Sequence, residues 1–78
     1  MTKREFIDIV DNGGDIEFAY SGKKYTILCW YEKGPLIGPQ GMDEDEVFKD
    51  GADMVSNYLI NGIPLANVLN DIEITFMN

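Results

Sequence analysis

The chain contains no histidine, a single cysteine, and only six lysine or arginine residues among 78. Without histidine no Ser-His or Cys-His nucleophile pair can form, and the commonest metal-ligating side chain is missing. One cysteine, Cys29, excludes an internal disulfide and a zinc site built from cysteine and histidine. A small domain without such a staple fits a reducing cytoplasm. No apolar run approaches the roughly 18 residues of a membrane span. The Lys3-Arg4 pair near the N-terminus is followed by Asp8 and Asp11 rather than by an apolar stretch, so a signal peptide is not expected. No glycine run has phosphate-loop spacing before Lys-Ser or Lys-Thr.

Acidic residues, by contrast, are plentiful: 14 of them give a net charge of −8. Their distribution is uneven. Residues 1–39 carry six acids and five bases; residues 40–78 carry eight acids and one base, Lys49. Asp43, Glu44, Asp45, Glu46, Asp50 and Asp53 lie within 11 positions. A field of that sign repels nucleic acid and anionic membranes and favours a basic partner. The plainer reading is that acidity keeps a small protein soluble. At this length one domain over residues 1–78 is expected, and the apolar share of 45% suits a folded chain.

The periodicities outline an α+β fold, a small antiparallel sheet with helices on one face. Thr2 and Glu5 form a capping-box pattern. Phe6, Ile9 and Val10 follow on one helical face, and Asn12-Gly13-Gly14 closes a helix over about 3–12. Ile16, Phe18 and Tyr20, then Tyr25, Ile27 and Cys29, alternate around a two-residue Ser21-Gly22 turn. This hairpin pairs Tyr20 with Lys23, Phe18 with Tyr25 and Ile16 with Ile27, which places Cys29 mid-strand on the apolar face. Its other face carries Glu17, Ala19, Lys24, Thr26, Leu28 and Trp30.

Residues 32–42 hold three glycines and two prolines. An irregular loop carrying Leu36, Ile37 and Met42 is expected there, not a central strand. Val47-Phe48 reads as a further short strand. Asp50 is the expected N-cap of a second helix with Met54, Val55, Tyr58 and Leu59 on one face and Asn61-Gly62 ending it. Pro64 opens a short third helix with Leu65, Val68 and Leu69 inward. Ile72, Ile74 and Phe76 alternate along a final strand, antiparallel to a hairpin strand.

The stretch from Ile16 to Ile27, with Glu17-Phe18-Ala19-Tyr20, the Ser21-Gly22 turn and Lys23-Lys24-Tyr25, resembles small uncharacterised open reading frames of phages and prophages of low-GC Gram-positive bacteria. The segment from Ile60 to Leu65 is similar to a second part of such proteins. The likeness spans about half the chain and implies a mobile-element origin. It carries over no site residues, and residues 32–42 depart from the short connection expected there.

Tested against known chemistries, the carboxylates give little. An EF-hand loop starting at Asp43 would place Val47, Phe48 and Met54 at positions five, six and twelve, where oxygen ligands and glycine are required. The chain is too short for a deep sugar cleft between paired carboxylates. Lys23, Lys24 and Tyr25 read as a polar hairpin end, and Cys29 as a small hydrophobe. Neither an enzyme nor a cofactor is therefore expected.

The expectation is a non-enzymatic, cytoplasmic interaction protein of a mobile element, anti-CRISPR-like, that inhibits a host protein by occupying its basic surface. Asp43, Glu44, Asp45, Glu46, Asp50 and Asp53 would imitate nucleic-acid phosphates, and Trp30 and Tyr31 would anchor the contact. A covered Trp30 would instead form a second core layer. Two alternatives are a small-molecule or nucleotide sequestering oligomer with a site near Trp30 and residues 34–41, and a structural phage component.

Overall fold

A computed structural model describes residues 1–29 and 32–78, so the expected anchor at Trp30 and Tyr31 lies outside the described residues. Thr2 caps the first helix, α1 (Lys3–Asp11). Its hydroxyl accepts from the Glu5 N–H at 3.1 Å, and the Glu5 carboxylate accepts from the Thr2 N–H at 3.0 Å. Two of the donors that every helix start leaves unpaired are thereby satisfied. Phe6 and Val10 are buried, and Ile7 and Ile9 pack beside them.

The hairpin follows as β1 (Ile16–Tyr20) and β2 (Lys23–Leu28). Its register is the one the two-residue turn dictates, with Phe18 opposite Tyr25 and Ile16 opposite Ile27. Ser21 and Gly22 both adopt positive φ, 50° and 82°, the geometry whose twist matches the strands it joins. Cys29 falls just past the end of β2 rather than mid-strand. It is half-buried, and its N–H donates to Asp15 Oδ1 at 3.2 Å.

The expected loop over residues 32–42 is overturned in its centre. Leu36–Pro39 form β3, which pairs with β2 on one side and with β4 (Glu46–Val47) on the other. The five-stranded antiparallel sheet has the order β4-β3-β2-β1-β7, with β7 at Glu73–Met77, so β3 is interior. Proline is admitted because alternate residues of a strand point their amides to opposite neighbours. Gln40 N–H donates to Lys24 O at 2.9 Å, which turns the even-numbered amides toward β2. Pro39 therefore faces the β4 side, beyond the last β4 pair at Ile37 and Glu46. No ladder bond is lost.

Asp50 caps α2 (Gly51–Asn57) as expected, accepting from the Asp53 N–H at 2.9 Å. Asp11, at the end of α1, accepts from the Gly51 N–H at 2.8 Å and ties the two helices together. Asn61-Gly62 does not end that helix, which stops at Asn57. It forms the turn of a second small hairpin, β5 (Leu59–Ile60) with β6 (Ile63–Pro64), again with both φ positive. Leu59 consequently leaves the helical face and is 55% exposed. The expected third helix is a single 3-10 turn, Leu65–Asn67, preceded by Pro64, with Leu65, Val68 and Leu69 buried as the spacing required.

The last strand pairs with β1, and a bulge interrupts its alternation. Phe18 faces Ile74 but Glu17 faces Phe76, leaving Thr75 as the extra residue. Phe76 is thereby moved from the apolar face to the opposite one and is 49% exposed. The core gathers Ile16, Phe18, Tyr25, Ile27 and Ile37 from one sheet face with Phe6 and Val10 of α1 and Met54 and Val55 of α2. Tyr58, Ile60, Leu65, Val68 and Leu69 complete it. Phe18 and Tyr25 stack at 5.1 Å, and the Tyr58 ring meets both Tyr25 and Phe48 edge-on. This is an α+β fold with both helices on one face of the sheet.

Candidate functional site

The six acidic residues divide into two groups. Asp50 and Asp53 are engaged at the start of α2. Besides the Asp50 cap, Asp53 accepts from the Lys49 N–H at 2.9 Å and from Asn57 Nδ2 at 2.7 Å. The Lys49 and Asn57 hydrogen bonds hold the Asp53 carboxyl below the usual carboxylate range. These two carboxylates are part of the local architecture of the helix.

Asp43, Glu44, Asp45 and Glu46 differ. They lie on the β3–β4 connection and on the edge strand itself, and all four are exposed. Among the described residues the one ion pair is Arg4 with Asp8, on the exposed face of α1. The charges of Glu46, Asp45 and Glu44 add to the upward shift of the Tyr58 hydroxyl. Burial, the neighbouring Tyr25 and then those carboxylates raise the Tyr58 pKa to about 12. Burial, with Asp15 and Asp11, raises the Cys29 thiol to about 11.

Both groups favour the protonated form when folded, so the sign of their contribution is fixed. It is fully present below the unfolded values, near 8.5 for Cys and 10 for Tyr, and is lost as pH rises through the folded values. Thermal stability is expected to fall between about pH 9 and 12, and Tyr58→Phe should flatten the upper part of that fall. An unchanged alkaline limb in Tyr58→Phe would show that Tyr58 is not the group responsible.

The sheet face away from the helices carries a pattern of its own. Residues paired across strands share a face. Leu28 pairs with Leu36 and Leu36 with Val47, giving an apolar row across β2, β3 and β4. The next row runs through Gly38, Thr26, Glu17 and Phe76. Leu28 and Leu36 are half-buried, Val47 is 45% exposed, and none of the three belongs to the core cluster. A β-carbon at Gly38 would collide with Asp45 Oδ1, so the Asp45 carboxylate occupies the space above Gly38 on this same face. Glu17 adds a second carboxylate, held by Gln40 Nε2 at 3.0 Å.

Sequence reasoning identified Leu28 as apolar on the outer face. It missed Leu36 and Val47 as members of the same row, because β3 went unrecognised. The adjacent apolar pair Leu36-Ile37 and the alternation of Glu46 with Val47 were the available signals. Among the described residues no group of histidine, cysteine or carboxylate side chains is disposed to hold a metal ion. A shallow, open depression of about 280 Å³ lies elsewhere, lined by Asp8, Ile9, Asn12, Gly14 and Asn78. It does not border residues 34–41. No helix of the described structure is long and apolar enough to cross a membrane.

No protein-family model, curated protein or solved structure matches this chain.

Proposed function

We propose that the protein is a non-enzymatic acidic interaction module that binds a partner protein through a basic surface. The observation that carries this reading is the exposed, unpaired run Asp43, Glu44, Asp45 and Glu46 on the β3–β4 hairpin and edge. Among the described residues its charge has no counter-ion, and its side chains make no capping contacts of the kind that engage Asp50 and Asp53. A cluster of one sign accelerates encounter with an oppositely charged surface and disfavours anionic partners. Inhibition of a host nucleic-acid-handling or defence protein, anti-CRISPR-like, is the specific form consistent with a mobile-element origin. In that form the four carboxylates stand in for phosphates, and the protein acts in the cytoplasm of the host cell.

The test is capture from a cell extract by immobilised wild-type protein, with partners identified by mass spectrometry. Reversing Asp43, Glu44, Asp45 and Glu46 to lysine should abolish capture of basic proteins, while reversing Asp71 and Glu73 should not. Equal capture by both variants at low salt would remove the reading. A small molecule retained by the native protein would favour the sequestering alternative in its place.

A further inference from the structure

We propose that the outer face of the sheet is the docking surface for a basic amphipathic helix of the partner. This inference rests on the charge reading above and assigns it a place and a partner geometry.

The face combines two things that a purely solubilising surface does not need side by side. Leu28, Leu36 and Val47 form an apolar row, outside the core and uncovered by either helix. One step along the strands, Asp45 over Gly38 and Glu17 beside Thr26 present carboxylates. Adjacent strands lie about 4.8 Å apart, close to the ~5.4 Å pitch of a helix. A helix laid along the row thus sets one apolar residue per turn against each of the three side chains.

The carboxylate row runs about 6.6–6.8 Å to one side, two residues along the strands. Asp45 and Glu17 are separated by roughly two strand spacings, about 10 Å, or two helical turns. The matching ligand has apolar residues at i, i+3 or i+4, and i+7, flanked on one side by lysine or arginine seven residues apart. Addition of a strand at the adjoining edge is the poorer fit, because β4 offers only Glu46 and Val47 for a ladder. Charge complementarity selects the sign of the ligand, and the apolar row selects its amphipathic form.

The probe is a synthetic leucine–lysine peptide patterned as an amphipathic helix. It is compared with a scrambled peptide of the same composition and with oligolysine of equal charge. Binding is followed by amide chemical shifts of the full chain. The patterned peptide is expected to bind at least about tenfold more tightly than oligolysine. The shifts should centre on Leu28, Leu36, Val47 and Asp45, and Leu36→Ser with Val47→Ser should remove the advantage. The wild-type shift map stands as evidence even if that double variant folds poorly.

Equal affinity for all three peptides, with shifts confined to residues 43–46, would overturn the docking face and leave the charge reading intact. Absence of binding by any peptide would overturn both. Shifts centred elsewhere, for example at Leu59 and Ile63, would also overturn the assignment. So would self-association in sedimentation that buries Leu36 and Val47, since the face would then belong to a second copy of the chain.

Discussion

Phe18→Ala is expected to lower unfolding stability by about 3–5 kcal/mol, measured as a shift in the urea midpoint at unchanged slope. Phe18 is fully buried, pairs with Tyr25 and Ile74 across both neighbouring strands, and stacks on the Tyr25 ring at 5.1 Å. Truncation removes apolar contact from the core side of an interior strand and leaves a cavity there. A chain of this length has about 4–12 kcal/mol in total, so the loss is a large share of what holds it folded. Phe76→Ala supplies the internal comparison. The same residue type, moved outward by the Thr75 bulge, should cost less than about 0.5 kcal/mol as an ordinary surface change. Similar losses at both positions would mean that the two faces of the sheet have been assigned wrongly.

Gly34→Ala is expected to cost about 2–4 kcal/mol, from strain at a glycine-only conformation and from overpacking. Gly34 has a φ of +126°, and a β-carbon there would collide with the Phe48 carbonyl oxygen. The obstacle is backbone and cannot rotate away. The Phe48 N–H donates to Pro35 O at 2.9 Å, and the Phe48 ring packs edge-on against Tyr58. Relief therefore requires β4 to move off β3. Hydrogen exchange should show lost protection at the Phe48 amide with β1 and β2 still protected. Because Glu46 and Val47 are β4, the same substitution should weaken partner binding without removing any charge. Full retention of Phe48 protection would show that the close approach at Gly34 is not required.

The elements legible in the sequence were those decided by neighbours along the chain. The Thr2 and Glu5 box, the Asp50 cap and the Ser21-Gly22 turn each operate within about four residues, and the hairpin register follows from its turn alone. The interior strand Leu36–Pro39 was hidden because proline was judged by residue type and not by the direction its missing amide would take. Asn61-Gly62 carries the same chemistry as a hairpin turn and as a helix stop, and only the short strands beside it decide between the two. The Thr75 bulge is set by how the last strand meets β1 across nearly sixty residues of chain, and no local pattern records it.

The acidic cluster was visible as a run of letters. The Asp50 cap could be read from it, but not that Asp53 is also engaged, by Lys49 and Asn57, while Asp43 to Glu46 remain exposed. That division depends on where Lys49, Asn57 and the α2 backbone lie.

The most direct measurement is the ionic-strength dependence of the affinity for a captured basic partner, compared between the wild type and a variant with Asp43, Glu44, Asp45 and Glu46 neutralised to their amides. Wild-type binding should weaken steadily as salt screens the exposed carboxylates, and the neutralised variant should bind more weakly at low salt with a much shallower dependence. Wild-type affinity that ignores salt, or a neutralised variant with the wild-type slope, would contradict the charge reading.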